Sequence, residues 1–130
     1  MSGTSGRPKP SSYEQQAEEH RKKADELALK QREISASSQA AYRAGNGELA
    51  KKLCAQAKEL HKEVEYHNNE AARLYYFYHN EDSPEGTIDL HGLFVKEAIA
   101  SLDGAVKEAT KKGQDRLTIV VGAGNHSEGG

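Results

Sequence analysis

The chain has 130 residues, 35% of them hydrophobic and 29% charged, which is room for one ordinary domain, or a small domain with a helical extension, around a thin core. Its 18 basic residues nearly cancel 20 acidic ones, for a formal net charge of -2. The whole-chain field therefore gives no argument for nucleic acid, and any such binding needs a local site. A single cysteine, Cys54, rules out an internal disulfide framework. No apolar run approaches the roughly 20 residues that span a bilayer. The N-terminus has no apolar signal-peptide core, so a soluble, cytoplasmic location is the expectation, with the nucleus left open and no membrane partner.

Residues 1–12 are rich in Ser, Gly and Pro without periodicity, and are expected to be a disordered tail. Met1–Gly6 reads as a leader of the kind left by expression vectors.

From Tyr13 the pattern is helical. Tyr13, Ala17, His20, Ala24, Leu27, Gln31, Ile34, Ser38 and Ala41 recur at alternating spacings of four and three, a stripe with many small or polar members. Ser12 is the expected N-cap, with Gln15 closing a capping box. Gly45-Asn46-Gly47 breaks the pattern with residues that accept left-handed backbone angles. A second stripe runs through Leu53, Ala57, Leu60, Val64, His67, Ala71, Leu74 and Tyr78. Two helices joined by so short a turn must run antiparallel. At 1.5 Å per residue each is about 45 Å long. The expected helical hairpin covers residues 13–79. His20 and His67 fall on its seam and are expected to be packing residues; His61 and His79 are expected at the surface, and Cys54 as a small packing or surface residue. Tyr75, Tyr76, Phe77 and Tyr78 are more aromatic surface than one seam uses, so they are expected to pack on the C-terminal domain. The Lys and Glu runs read as solvated faces with i,i+4 pairs.

Residues 80–87 contain Asn80, Asp82, Ser83 and Pro84 and read as a linker, with the second helix ending before Pro84. Thr87–Leu90 then reads as a short strand. Val95, Ala98, Ile99, Leu102, Val106 and Ala109 form a helical stripe, stopped by Lys111-Lys112-Gly113. Leu117–Val121 is rich in β-branched residues and apolar enough to be buried on both faces. Strand, helix, strand predicts a βαβ crossover with parallel strands. The fold class is thus α+β or α/β: a long helical hairpin succeeded, over 88–130, by a βαβ unit. Two strands and one helix leave a sheet face or edge uncovered; either the helical hairpin covers it or this is the first part of a longer domain, and the longer domain is the expectation.

The chemistry-bearing residues sit where the strands end. Asp89-Leu90-His91-Gly92 closes the first strand, and Gly122-Ala123-Gly124-Asn125-His126-Ser127 closes the second. In a βαβ unit both ends lie at one edge of the sheet, where open parallel sheets bind ligands. Glycines let backbone N–H groups approach a phosphate, and imidazoles move protons near neutral pH. Asp89 and His91, two apart on extended backbone, point the same way; Asp89 orients His91, or the two share a metal or a water. Each motif alone also fits plain turn chemistry, with Asp89 capping the next helix. Their joint occurrence at one edge favours a site. No Cys/His spacing around Cys54 suggests a metal.

Ile88-Asp89-Leu90-His91-Gly92-Leu93, the helix after it, and Val120-Val121-Gly122-Ala123-Gly124-Asn125-His126-Ser127 resemble the Smr (small MutS-related) domain. Residues 13–78 resemble the helical domain of unknown function that often precedes Smr domains in eukaryotes. The resemblance implies a βαβαββ fold similar to the C-terminal domain of bacterial translation initiation factor three. It also implies binding or endonucleolytic cleavage of nucleic acid, in eukaryotes usually mRNA at stalled ribosomes. Carried over by position, Asp89 and His91 are the expected catalytic pair. Gly92, Gly122, Gly124, Asn125, His126, Ser127 and Lys112 are the expected nucleic-acid contacts. Val121 stands where the family usually has Thr. No cofactor is required by this reading, though the site admits a divalent metal. The expected partner is RNA, or DNA. The alternative is a non-catalytic module whose hairpin, residues 13–79, docks to the ribosome or another protein.

Overall fold

The computed structural model describes residues 10–122, in the order α1 (Pro10–Arg43), α2 (Gly47–Asn80), β1 (Thr87–Asp89), α3 (Val95–Lys111) and β2 (Thr118–Val120). The chain divides into two compact units: Glu18–Glu70, and the remainder, of which 10–17 and 71–122 are described.

The unit Glu18–Glu70 is the helical hairpin. Its seam matches the sequence stripe: Ala24, Leu27, Ala41, Ala50 and Ala57 are buried, and Gln31, Ile34, Ser38, Leu53, Leu60 and Val64 are half-buried. Alanines bring the backbones close but bury little area each, so polar bonds across the seam add specificity. The Ser38 hydroxyl donates to the Ala50 carbonyl at 2.8 Å, and the Arg21 guanidinium donates to the Asn68 side-chain oxygen at 2.9 Å. The turn is built as the glycines predict. Gly45 adopts φ +85°, which a side chain would strain. Asn46 N–H donates to Ala41 O at 2.9 Å and Gly45 N–H to Tyr42 O at 3.0 Å, the bond pair of a Schellman cap. Asn46 then caps α2, its Oδ1 accepting the Leu49 N–H at 3.2 Å.

His20 and His67 meet on this seam with their Nδ1 atoms 2.9 Å apart. One nitrogen must carry a proton and the other must be bare, so the pair holds at most one charge. Burial holds the His67 pKa below its ordinary value, and the charges of His20 and Lys23 push it the same way against Glu63. A depressed folded-state pKa means the folded chain binds fewer protons than the unfolded chain, so the stability is complete above the ordinary value of 6.5 and is lost as pH falls below it. Thermal unfolding monitored by helical circular dichroism is expected to drop in midpoint from about pH 7 to about pH 5. His67→Gln is expected to flatten that slope; parallel curves for the two proteins would show that this pair does not set it.

α1 already includes Pro10, so Ser12 is not its N-cap. Ser12 lies inside the helix, its hydroxyl accepting from Gln16 Nε2 at 3.3 Å, and the capping box with Gln15 does not form. Proline carries no N–H, and the first helical turn requires none.

The second unit joins the first turns of α1, the last turns of α2 and the βαβ segment. Ala17, Ala71 and Leu74 pack together, and the Glu14 carboxylate beside Tyr78 raises that phenol above its usual range. Ile88, Leu90 and Leu93 form the main core, with Tyr75 and Tyr76 of α2 and Ala98, Leu102 and Ala105 of α3 packed on it. The aromatic surplus at the end of α2 is thus partly used as the sequence suggested. Phe77 is exposed, and Tyr78 lies beside Glu14 of α1 rather than in this core cluster. β1 and β2 pair in parallel, Ile88 opposite Ile119, with Leu90 N–H donating to Val120 O at 2.8 Å. The core side chains Ile88 and Leu90 share one face of the extended segment, as period two requires.

β2 departs from expectation. Thr118, Ile119 and Val120 are all exposed rather than buried on both faces, and Val95, Ile99 and Val106 of the α3 stripe are exposed as well. A two-stranded sheet is too narrow to cover a full helical stripe or to be sandwiched itself.

Candidate functional site

The site is made by three chain segments that local chemistry holds in place. The first is the turn after β1. Asp89 Oδ1 accepts the His91 backbone N–H at 2.9 Å, an Asx turn that sets the direction of His91. Gly92 comes next, at φ +91°, and is buried. α3 then starts with the Glu97 carboxylate accepting the Phe94 N–H at 2.8 Å. Asp89 therefore performs turn chemistry, but it caps the turn and not the helix, and its carboxylate meets the His91 backbone rather than its ring.

The second segment is the last turn of α2, which sequence reasoning misses. His79, expected at the surface, is half-buried. Its ring stacks on Tyr75, with centroids 5.8 Å apart and planes 3° apart, and lies 4.3 Å from the His91 ring. Burial holds the His79 pKa below its ordinary value and His91 adds to that, against the charges of Asp89 and Glu14. Its imidazole is thus neutral at neutral pH. The available signal was the i,i+4 spacing of Tyr75 and His79, which puts both on one flank of the helix beside the buried Leu74. Among the described residues, His79, Asp89 and His91 offer three ligand-type atoms all within 4.8 Å of one another.

Next to His79, Asn80 fastens the helix to the strand. Its Nδ2 donates to Asp89 O at 2.8 Å and its Oδ1 accepts the Asp89 N–H at 2.7 Å. One amide side chain thus pairs with both backbone groups of Asp89 as a neighbouring strand would. Nδ2 also donates to Tyr76 O at 2.9 Å. Asn80→Ala would leave two half-buried backbone groups without these partners. A loss of about 2 kcal/mol is expected, read as a lower urea midpoint. An unchanged midpoint would mean that water replaces the amide without cost.

The third segment is the end of β2. A Cβ built on Gly122 would lie 3.3 Å from His91 Cδ2, so the strand end and the imidazole are neighbours. Asp89, His91, Gly92 and Gly122 therefore meet at one sheet edge. Lys112 does not join them. It is the C-cap residue of α3 and lines a cleft of about 530 Å³ with Gly86, Thr87 and Leu117, at the N-terminal ends of the strands. A parallel crossover returns its helix C-terminus to that end. Gly124, Asn125, His126 and Ser127 lie outside the described residues.

A βαβ segment with this Asp-Leu-His-Gly rim, entered from a long helical hairpin, defines a class. Residues 88–130 match the Smr domain, and residues 18–80 match a domain of unknown function (DUF1771). The chain thus carries a DUF1771 segment succeeded by an Smr domain. Over 110 residues it is 39% identical to Endonuclease NBR9 of Saccharomyces cerevisiae, covering 85% of this chain and 46% of that protein. It is 34% identical over 110 residues to Smr domain-containing protein C11H11.03c of Schizosaccharomyces pombe, covering 85% of this chain and 53% of that protein. NEDD4-binding protein 2 of Homo sapiens is 32% identical over 108 residues, which is 78% of this chain and 6% of that protein. The chain spans about half the length of the two yeast relatives. No solved structure matches it. No helix among the described residues is long and apolar enough to cross a membrane.

Proposed function

We propose that this chain is the nuclease-type part of an RNA-directed protein, with Asp89 and His91 at the reacting phosphodiester. In this reading Gly122 and the glycine-rich sequence that follows it supply backbone amides to a phosphate. The observation that supports it most is the meeting of Asp89, His91 and Gly122 at the edge where parallel sheets take ligands. His91 is exposed there, so a phosphate reaches its ring. A relative named as an endonuclease, 39% identical, supports cleavage over binding alone. RNA is favoured over DNA by the resemblance to eukaryotic proteins in which this helical segment precedes an Smr domain, and the same resemblance supports a role in mRNA surveillance during translation.

The test is to incubate the full-length protein with single-stranded RNA and with duplex DNA at two salt concentrations, measuring cleavage and binding together. Cleaved RNA is expected, with binding that weakens as salt rises because phosphates are being neutralised. Cleavage of duplex DNA alone would overturn the RNA reading, and binding without cleavage of either would overturn the nuclease reading.

A further inference from the structure

We propose that His79, Asp89 and His91 form a binding site for a first-row divalent transition metal, zinc being the closest match, and that the last turn of α2 supplies a ligand the Smr motif does not contain by itself. The three side chains present their ligand atoms within 4.8 Å of one another, while ligand atoms on a tetrahedral zinc lie about 3.3 Å apart. Closing that difference takes rotation of the exposed His91 ring and of the Asp89 carboxylate toward His79.

The chemistry of the set selects the ion. Two imidazoles and one carboxylate suit zinc and its neighbours, whereas magnesium and calcium take oxygen ligands almost exclusively. Three protein ligands at an exposed rim leave a coordination position open to solvent, the arrangement of reactive rather than structural zinc sites. The supports around the ligands are also those a metal site needs, because ligands are held by the groups behind them. Asp89 is pinned through its backbone by Asn80 and through one carboxylate oxygen by the His91 amide. A carboxylate has acceptor capacity for more than one partner, so that bond does not exclude a metal. His79 is fixed by its stack on Tyr75. A Cβ at Gly92 would come within 3.4 Å of His79 Nε2, so the glycine keeps that nitrogen's surroundings open. The link to cleavage rests on the nuclease reading; the binding does not.

The measurement is a cobalt(II) titration of the chelator-treated chain, monitored by visible d–d absorption, with competition by zinc and thermal unfolding at each step. Exposed Cys54 is replaced by Ser throughout to remove a competing thiolate. One ion per chain and a raised unfolding midpoint with zinc are expected. His79→Gln and Asp89→Asn each should weaken binding by at least about tenfold. Asn at 89 still accepts the His91 amide, so Asp89→Asn reads the ligand without dismantling the turn. A double variant of His20 and His67, the other close imidazole pair, should bind as the parent does. The proposal fails if the parent binds no cobalt, if His79→Gln and Asp89→Asn bind like the parent, or if the double variant loses the ion. Metal binding without RNA cleavage would sink the nuclease reading alone; metal-free cleavage by a chain that binds no cobalt would sink the metal site alone.

Discussion

Full-length protein carrying His91→Ala is expected to keep its fold and to lose at least about a hundredfold in phosphodiester cleavage. The two halves of that expectation have separate physical grounds. The fold is spared because His91 is exposed, and because the bond that shapes its turn runs from the His91 backbone to Asp89, not from its ring. An exposed substitution of this kind changes stability by no more than about 0.5 kcal/mol. Cleavage is lost because the ring is the group at the rim between His79 and Gly122. No other imidazole among the described residues stands there except His79, whose ring is packed against Tyr75. Single-turnover cleavage of a labelled RNA checks the rate and urea unfolding checks the fold. A variant that cuts at the parental rate would remove His91 from the chemistry.

Gly92→Val is expected to destabilise the unit containing the βαβ segment by about 3–4 kcal/mol while leaving Glu18–Glu70 folded. Two costs add. The position has φ +91°, where a β-branched residue meets its own backbone. A Cβ there would also lie 3.1 Å from Tyr75 Cγ and 3.2 Å from Cδ1, in a buried position where the Tyr75 ring has to shift to admit it. Gly104 provides the control. It lies in α3 with nothing within 4 Å of a built Cβ, so Gly104→Ala should stabilise by about 0.5–1 kcal/mol. Near-ultraviolet circular dichroism, which reports Tyr75 and Tyr76 packing, separates the two variants. Equal midpoints for both would mean that neither the backbone angle nor the ring contact matters.

The sequence carried the hairpin because its information is periodic. The stripes from Ala17 to Ala41 and from Leu53 to Leu74 became the seam, and Gly45-Asn46 became the turn. It carried the short strands and α3 for the same reason, and the pairing of the two rim motifs came from strand direction alone. What it did not carry were contacts between segments with no common period. His79 belongs to the helix stripe's flank, where a histidine is ordinarily solvated, and it is half-buried where His91 and Gly92 of the βαβ segment meet it beside Tyr75. Asn80 looked like linker chemistry, and its role depends on meeting a backbone nine residues later. The burial assigned to Leu117–Val121 failed for a different reason. Apolar composition shows that a strand seeks cover, not that cover is present, and Ile119 and Val120 are each 42% exposed.

The clamp at Asn80 has a dynamic corollary. Helix ends fray more readily than helix centres, and the end of α2 carries one imidazole and grips the strand bearing the carboxylate. Unwinding that single turn would withdraw His79 and release Asp89 together, so the cluster disassembles as one cooperative event. The assembled rim would then last only as long as that one turn stays wound, and a molecule that grips the end of α2 would act on it from outside the rim.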